Sequence, residues 1–137
     1  MINPFVISLK VSKNNFLNYC YIIVNPVTRH AIAIDPAWDM PLLINTLSKY
    51  QAELKAILIT HHHFDHIDLA DSLSTKFNCR VIMSQQEITE YDVKLLNLST
   101  FDGDAQLNIC GFSIQAILTP GHTKGSTCFL IGDNLFT

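Results

Sequence analysis

The segment Ala56-Ile-Leu-Ile-Thr60 constrains the fold most, because it is a short, continuously apolar run that leads directly into polar residues. Such a run is typical of a β-strand that is covered on both faces. Four side chains able to bind a metal follow immediately, at His61, His63, Asp65 and His66. The sequence therefore predicts a buried strand whose C-terminal end carries a cluster of candidate metal ligands.

Strands and helices are predicted to alternate around this buried strand. An antiparallel opening is followed by strand-helix repeats, and this order favours an α/β layered domain. Asp65 or Asp68 is predicted to cap the helix that follows the cluster, whose apolar positions include Ala70 and Leu73. The other predicted strands span 5–11, 19–24, 30–34, 80–83, 106–110, 112–118, 127–131 and 135 onward, and the other predicted helices span 41–50 and 85–97.

The composition predicts one globular domain over residues 1–137, since 48% of the residues are apolar and 15% are charged. Repeats and Ser/Gly linkers are missing from the sequence. The net charge of −3 argues against nucleic acid as a partner, because nucleic-acid binding draws on clustered Lys and Arg.

The N-terminus and the cysteines bear on the compartment. The opening Met-Ile-Asn-Pro-Phe lacks the basic and apolar regions of a signal peptide, and no apolar run is long enough for a membrane helix. The cysteines, which are widely separated, are predicted to be buried reduced thiols. We therefore expect a cytoplasmic protein without a membrane partner.

The spacing within the cluster suits zinc, which takes imidazole nitrogen and carboxylate oxygen as ligands. In an extended backbone, His61 and His63 point to one side and His62 to the other. Asp65 and His66 follow where the chain turns toward a helix, so they are candidates for a second ion. Two ions share a hydroxide and thereby promote hydrolysis near neutral pH without a serine or cysteine nucleophile. Iron and manganese remain alternatives to zinc.

A second histidine loop, Pro120-Gly121-His122-Thr123 with Gly125-Ser126 after it, follows the predicted strand at 112–118. Together with His61-x-His63-x-Asp65-His66, it resembles the signature of the metallo-β-lactamase superfamily. The resemblance implies an αββα sandwich, of which this chain supplies the N-terminal αβ half and the start of the second half. It also implies that His61, His63 and His122 hold the first metal and that Asp65 and His66 hold the second, with Asp65 orienting the bridging hydroxide.

The sequence departs from that family pattern after Leu135-Phe136-Thr137. Family members continue with a segment similar to Gly-Asp that supplies a bridging aspartate, and a last histidine follows further on. Asp133 is interpreted as a turn residue rather than as a substitute for that aspartate. The sequence is therefore interpreted as truncated at its C-terminus, and an inactive fragment is one of the candidate interpretations.

Within the superfamily, the run Thr60 to His66 and the loop at 120–126 look most like the glyoxalase II-like thioester hydrolases. The segment 70–97 is more weakly similar to acyl hydrolases found with polyketide synthases. Both resemblances imply attack of a metal-bound hydroxide on a thioester carried by a small molecule or a carrier protein. The alternatives are an inactive or metal-binding fragment, a β-lactamase, a nuclease or a flavo-diiron oxidoreductase.

Secondary candidates surround the two motifs. His62 is expected to face away from the metals, and Lys124 and Ser126 are candidate substrate contacts. Trp38 is expected in the core or at the rim of the cavity. His30 lies in a predicted strand far from both motifs and receives no role.

Overall fold

A computed structural model of the chain describes residues 2–137 and contains two β-sheets and four helices in that range. The strands are β1 (Phe5–Lys13), β2 (Phe16–Val24), β3 (His30–Ile34), β4 (Glu53–Leu58), β5 (Arg80–Ser84), β6 (Leu98–Phe101), β7 (Ala105–Ile109), β8 (Phe112–Leu118), β9 (Thr127–Ile131) and β10 (Asn134–Phe136). The helices are α1 (Met40–Lys49), α2 (Phe64–Ile67), α3 (Ala70–Phe77) and α4 (Gln85–Tyr91).

The first sheet has six strands in the order β1-β2-β3-β4-β5-β6. Its first three strands pair antiparallel, which confirms the predicted antiparallel opening. From β3 onward the pairing is parallel, with helices α1, α3 and α4 in the connections. Parallel neighbours place their C-terminal ends at one edge of a sheet, so the residues that follow β3 and β4 lie side by side.

The second sheet has four antiparallel strands in the order β10-β9-β8-β7. In β8, Phe112, Ile114 and Ala116 alternate with exposed residues and are buried, as the sequence pattern predicts. The loop from β8 to β9 carries His122. The turn between β9 and β10 contains Asp133, which confirms the interpretation of this residue.

Two apolar cores lie on opposite faces of the first sheet. One packs the sheet against Leu43 and Leu47 of α1 and Leu73 of α3. The other packs the sheet against the second sheet, with Phe129 fully buried between them. The order of layers is therefore helix, sheet, sheet, which confirms an α/β layered fold. The central strand β4 contributes to both cores, as predicted for a strand covered on both faces.

Two local predictions are wrong. The helix expected over 85–97 ends at Tyr91, because Asp92 adopts a left-handed conformation with φ 50° and stops the helical hydrogen bonding. The strand β6, which follows at Leu98, was not predicted. Neither Asp65 nor Asp68 is the N-cap of a helix: His63 and Leu69 occupy the N-cap positions of α2 and α3. The carboxylate of Asp68 instead accepts the backbone N–H of Trp38 at 2.9 Å.

The four cysteines all lie in the described part of the chain and are free. Cys20 and Cys79 are buried as predicted, whereas Cys110 and Cys128 are half-buried. Burial raises the pKa of Cys20 to about 11, so this side chain is a thiol at neutral pH. Among residues 2–137, no helix is both long and apolar enough to cross a membrane.

Candidate metal centre

Three segments meet at one edge of the two sheets. Asp35 follows β3, Thr60 and His61 follow β4, and His122 lies in the loop between β8 and β9. The backbone N–H of Thr127 in β9 donates to the carbonyl of Thr60 at 3.0 Å and ties the two sheets together beside the histidines. The candidate residues therefore come from both sheets.

His61, His63 and His122 form a compact group that we call the first corner, with one candidate ligand atom from each within 4.8 Å of the others. The ring centroids lie 4.8 Å apart for His61 and His63, 4.9 Å for His61 and His122, and 4.7 Å for His63 and His122. Nδ1 of His63 and Nε2 of His122 approach to 3.1 Å. The three rings thus face a common point, as the sequence predicts.

Hydrogen bonds fix the tautomer of His61. The hydroxyl of Thr60 donates its only hydrogen to Asp35 Oδ2 at 2.6 Å, so it accepts from Nδ1 of His61 at 2.9 Å. Nε2 of His61 consequently carries a bare lone pair. Among the described residues, it is a buried side-chain nitrogen without a hydrogen-bond partner.

This orphaned nitrogen fits a metal ion, because a buried polar atom is normally paired and a cation supplies the missing partner. Burial, together with the charges of the neighbouring histidines, lowers the pKa of His61 to about 4. The ring is therefore neutral at physiological pH, which is the form that binds zinc. The donor set of three imidazoles is also one that zinc uses in catalytic sites.

His66 and Asp65 form what we call the second corner, next to the first. The ring of His66 lies 4.1 Å from that of His61, and Nε2 of His66 lies 3.4 Å from Asp65 Oδ2. The side chain of Asn18 holds this pair against β2: its Nδ2 donates to the carbonyl of Asp65 at 2.8 Å and lies 3.3 Å from Nε2 of His66. The structure thus brings all five predicted ligands to one place.

Asp35 orients both corners, although it is not among the residues predicted for the site. It is buried and accepts hydrogen bonds from the backbone N–H of Thr60 at 2.8 Å, from the Thr60 hydroxyl, and from Nδ1 of His66 at 2.8 Å. Burial lowers the pKa of His66, but the bond to Asp35 and the charges of Asp35 and Asp65 outweigh it, so the pKa is raised. The signal that could have identified Asp35 is its position at the C-terminal end of a strand adjacent to β4.

Asp35 also lies close to His61 and His66 in a second group with metal-binding geometry. Its carboxylate oxygens are already engaged by three donors, so we interpret it as the residue that orients the histidines rather than as a ligand. A carboxylate that accepts from the other ring nitrogen of a ligating histidine is a common partner in zinc sites.

His62 faces away from the first corner, as the alternation of side chains predicts. Its backbone N–H and its Nδ1 both donate to Oε2 of Glu87, at 2.8 Å and 2.7 Å. Oε1 of Glu87 accepts the backbone N–H of Gly125 at 2.9 Å. Burial raises the pKa of Glu87, but the hydrogen bonds from His62, Thr123 and Gly125 outweigh it and lower the pKa. The sequence alone does not identify Glu87, because only the folded chain brings it to His62.

The other candidates lie around the site. Lys124 is exposed and pairs with Glu90 at 2.7 Å, and Ser126 bonds within its own loop to Thr123. Trp38 is half-buried against the first core, and its ring lies 6.3 Å from that of Phe64. A cavity of about 290 Å³ adjoins the first corner and is lined in part by His61, Thr119, His122 and Thr137.

Comparison with known proteins assigns the chain to a family. The family model described as the metallo-beta-lactamase superfamily matches residues 15–137. The chain therefore belongs to the metallo-β-lactamase superfamily.

Individual relatives are similar over most of the chain. It is 42% identical over 129 residues to the "Probable polyketide biosynthesis zinc-dependent hydrolase PksB" of Bacillus subtilis (strain 168), covering 94% of this chain and 57% of that protein. It is 32% identical over 129 residues to a "Hydroxyacylglutathione hydrolase" of Ectopseudomonas mendocina (strain ymp), covering 87% of this chain and 48% of that protein. The chain thus spans about half the length of the curated relatives it matches.

A solved structure supports the fold independently of these sequence matches. The crystal structure of ETHE1 from Myxococcus xanthus superimposes with a TM-score of 0.79 at 24% identity, over 94% of this chain and 55% of that one. The layered architecture predicted from the histidine motifs is therefore confirmed as that of the superfamily.

Proposed function

We propose that the chain carries the metal-binding part of a zinc-dependent hydrolase that cleaves thioesters. The observation that carries this proposal is the convergence of three imidazoles on one point, with the lone pair of His61 Nε2 buried and unpaired among the described residues. His61, His63 and His122 would hold one zinc ion, and Asp65 and His66 would contribute to a second. When bound, zinc would supply Lewis-acid chemistry by ionising water and polarising a carbonyl group.

The residues of this chain would divide the work of hydrolysis between them. Asp65 would accept a hydrogen bond from the attacking water and so orient it toward the thioester carbonyl. Asp35 would keep His66 and, through Thr60, His61 in the tautomers that carry the proton on Nδ1 and leave Nε2 without one. Addition of water to the carbonyl carbon and cleavage of the carbon–sulfur bond would yield a carboxylic acid and a thiol.

The names of the relatives support a thioester as substrate. A hydroxyacylglutathione is a thioester, and the relative of higher identity is named for polyketide biosynthesis. The resemblance to acyl hydrolases found with polyketide synthases implies a thioester on a carrier protein. The higher identity to the polyketide relative therefore favours an acyl group held on a carrier protein over one held on glutathione. The free thiols and the predicted cytoplasmic location agree with a thioester substrate inside the cell.

The test combines metal analysis with a substrate panel. The purified protein is assayed for bound zinc, iron and manganese, and then for hydrolysis of acyl-glutathione, acyl-pantetheine and acyl-carrier-protein thioesters, with a β-lactam as comparison. We expect bound zinc and the fastest turnover with the acyl-carrier protein. Zinc binding without turnover of any thioester would favour the metal-binding fragment, and absence of both would refute the proposal.

A further inference from the structure

Helix α4 links the two loops that carry the first corner, although it contributes no residue to that corner. Glu87 and Tyr91 lie four positions apart on α4, a spacing that places both side chains on one face of a helix. This face contacts the loop that contains His61 and His63 and also the loop that contains His122.

The carboxylate of Glu87 makes the first link. It is fully buried, and one of its oxygens accepts both the backbone N–H and the Nδ1–H of His62, the residue between His61 and His63. The other oxygen accepts the backbone N–H of Gly125, three positions after His122. A single side chain thus bonds to both ligand-bearing loops.

Tyr91 makes a second link of the same kind. Its ring stacks on the ring of His62 at a centroid distance of 4.1 Å and an interplanar angle of 21°. Its hydroxyl accepts the backbone N–H of Lys124 at 3.1 Å. Both loops therefore contact α4 twice, once through Glu87 and once through Tyr91.

Gly125 allows the close approach on which these bonds depend. A Cβ atom at this position would overlap the backbone nitrogen of Glu87 and lie 2.6 Å from its Cα. A residue with a side chain would therefore push the loop of His122 away from α4. The close contact and the hydrogen bond to Glu87 therefore both hold the loop of His122 against α4 at Gly125.

We propose that Glu87 is a positioning residue of the first corner, which fixes the separation between the pair His61 and His63 and the single His122. It would thereby set the affinity and the coordination geometry of the zinc ion bound there. This inference rests on the metal site of the proposed function but not on the reaction or the substrate.

A carboxylate suits this role because every group that reaches Glu87 is a hydrogen-bond donor: the N–H groups of His62 and Gly125 and the hydroxyl of Thr123. Glutamine at this position would offer one acceptor oxygen, and its amide N–H would face a donor from one of the two loops. Replacement by glutamine therefore preserves the size of the side chain but breaks the link to one loop.

The test measures zinc affinity by competition with a chromophoric chelator and records the absorption spectrum of the cobalt-substituted protein. Glu87→Gln is expected to lower zinc affinity about 10- to 100-fold, the usual effect of removing a partner that orients metal ligands, and to alter the cobalt spectrum. The matched control is Glu90→Gln, since Glu90 also joins α4 to the second loop but through an exposed ion pair. We expect this control to bind zinc within about twofold of the unmodified protein.

Circular dichroism of the metal-free protein would show whether Glu87→Gln folds. A second variant provides the test if it does not. Tyr91→Phe removes one hydroxyl from an exposed residue, so the fold is retained, and zinc affinity is expected to fall about two- to tenfold. Zinc affinity and cobalt spectra equal to those of the unmodified protein in folded Glu87→Gln, or in Tyr91→Phe if Glu87→Gln does not fold, would overturn the inference.

The two proposals fail in different ways. An unmodified protein that binds zinc but hydrolyses no thioester refutes the reaction and leaves the comparison of affinities intact. A Glu87→Gln variant with unchanged zinc affinity in an active protein refutes the positioning role alone.

Discussion

The two corners of the histidine cluster differ in how their polar atoms are satisfied. In the first corner, Nε2 of His61 is unpaired, and Nδ1 of His63 meets Nε2 of His122 at 3.1 Å. In the second corner, His66 is bonded to Asp35 and lies against Asn18 and Asp65. The protein alone satisfies the second corner, whereas the first has lone pairs that a cation would complete. We therefore expect metal binding to depend most on the first corner, and the metal-free fold to depend most on the second.

Replacement of a first-corner ligand should have the largest effect. His63→Ala is expected to lower zinc affinity by roughly a hundredfold or more, since a four-ligand zinc site is worth about 10–16 kcal/mol in total, and to abolish thioester hydrolysis. Metal analysis and chelator competition would measure it. His30→Ala serves as the control, because His30 lies at the start of β3, outside the cluster. Equal zinc affinity in the two variants would contradict the assignment of the first corner as the metal-binding group.

Replacement of Asp65 should separate catalysis from stability. Asp65→Asn keeps the shape of the side chain but weakens its ability to orient water, so kcat is expected to fall about a hundredfold. The free energy of unfolding should change by less than about 0.5 kcal/mol, because this carboxylate caps no helix. Kinetics and urea denaturation of the same preparation would test this. A loss of stability without a kinetic defect would assign Asp65 a structural role instead.

Replacement of Asp35 should have the opposite pattern, with a loss of stability even without metal. Asp35→Asn removes the charge from a buried carboxylate with three donors, so the free energy of unfolding should fall by about 2–3 kcal/mol. Urea denaturation of the metal-free protein would measure it. Asp133→Asn, in an exposed turn, is the control and should be nearly neutral. Equal stability of the two variants would show that the second corner does not depend on Asp35.

The smallest effect, but the most direct comparison, concerns proton binding in the metal-free protein. Burial lowers the pKa of His61 to about 4, whereas the bond to Asp35 raises the pKa of His66 above its usual value of 6.5. NMR titration of the imidazole signals should therefore show His61 protonating well below His66, and Asp35→Asn should lower the pKa of His66. Coincident titration of the two rings would contradict the difference between the corners.

The two histidines also affect stability in opposite directions. Between pH 6.5 and about 4, the unfolded chain protonates His61 while the folded chain does not, so the contribution of His61 to stability falls as the pH is lowered. The contribution of His66 is fully present below pH 6.5 and is lost as the pH rises through its raised pKa.

The sequence predicted those parts of the molecule that depend on local patterns. The ligands His61, His63, Asp65 and His66 follow a single apolar strand, and their spacing alone indicates a metal site. The predicted strands and the first helix agree with the structure to within a few residues at each end. These features rest on the alternation of apolar residues and on turn residues, which are readable over short distances.

The remaining features depend on contacts between distant segments. Asp35 bonds to His66 over 31 positions, and Glu87 bonds to Gly125 over 38, so no pattern within one segment predicts either bond. The sequence predicts too long a helix from Gln85, because the residues after Tyr91 carry no strong helix-breaking pattern. Its end depends on the left-handed backbone at Asp92 and on the pairing of β6 with β5.

The hydrogen bond from the Thr127 amide to the Thr60 carbonyl joins the two sheets next to His61. That amide proton can exchange with solvent only when the bond opens, which requires the sheets to separate locally at this edge. Its exchange rate therefore reports how often the first sheet, with its histidine cluster, moves apart from the second sheet, which carries His122. A cation shared by these histidines would slow that exchange more than the exchange of amides in β1, which lies at the far edge of the first sheet.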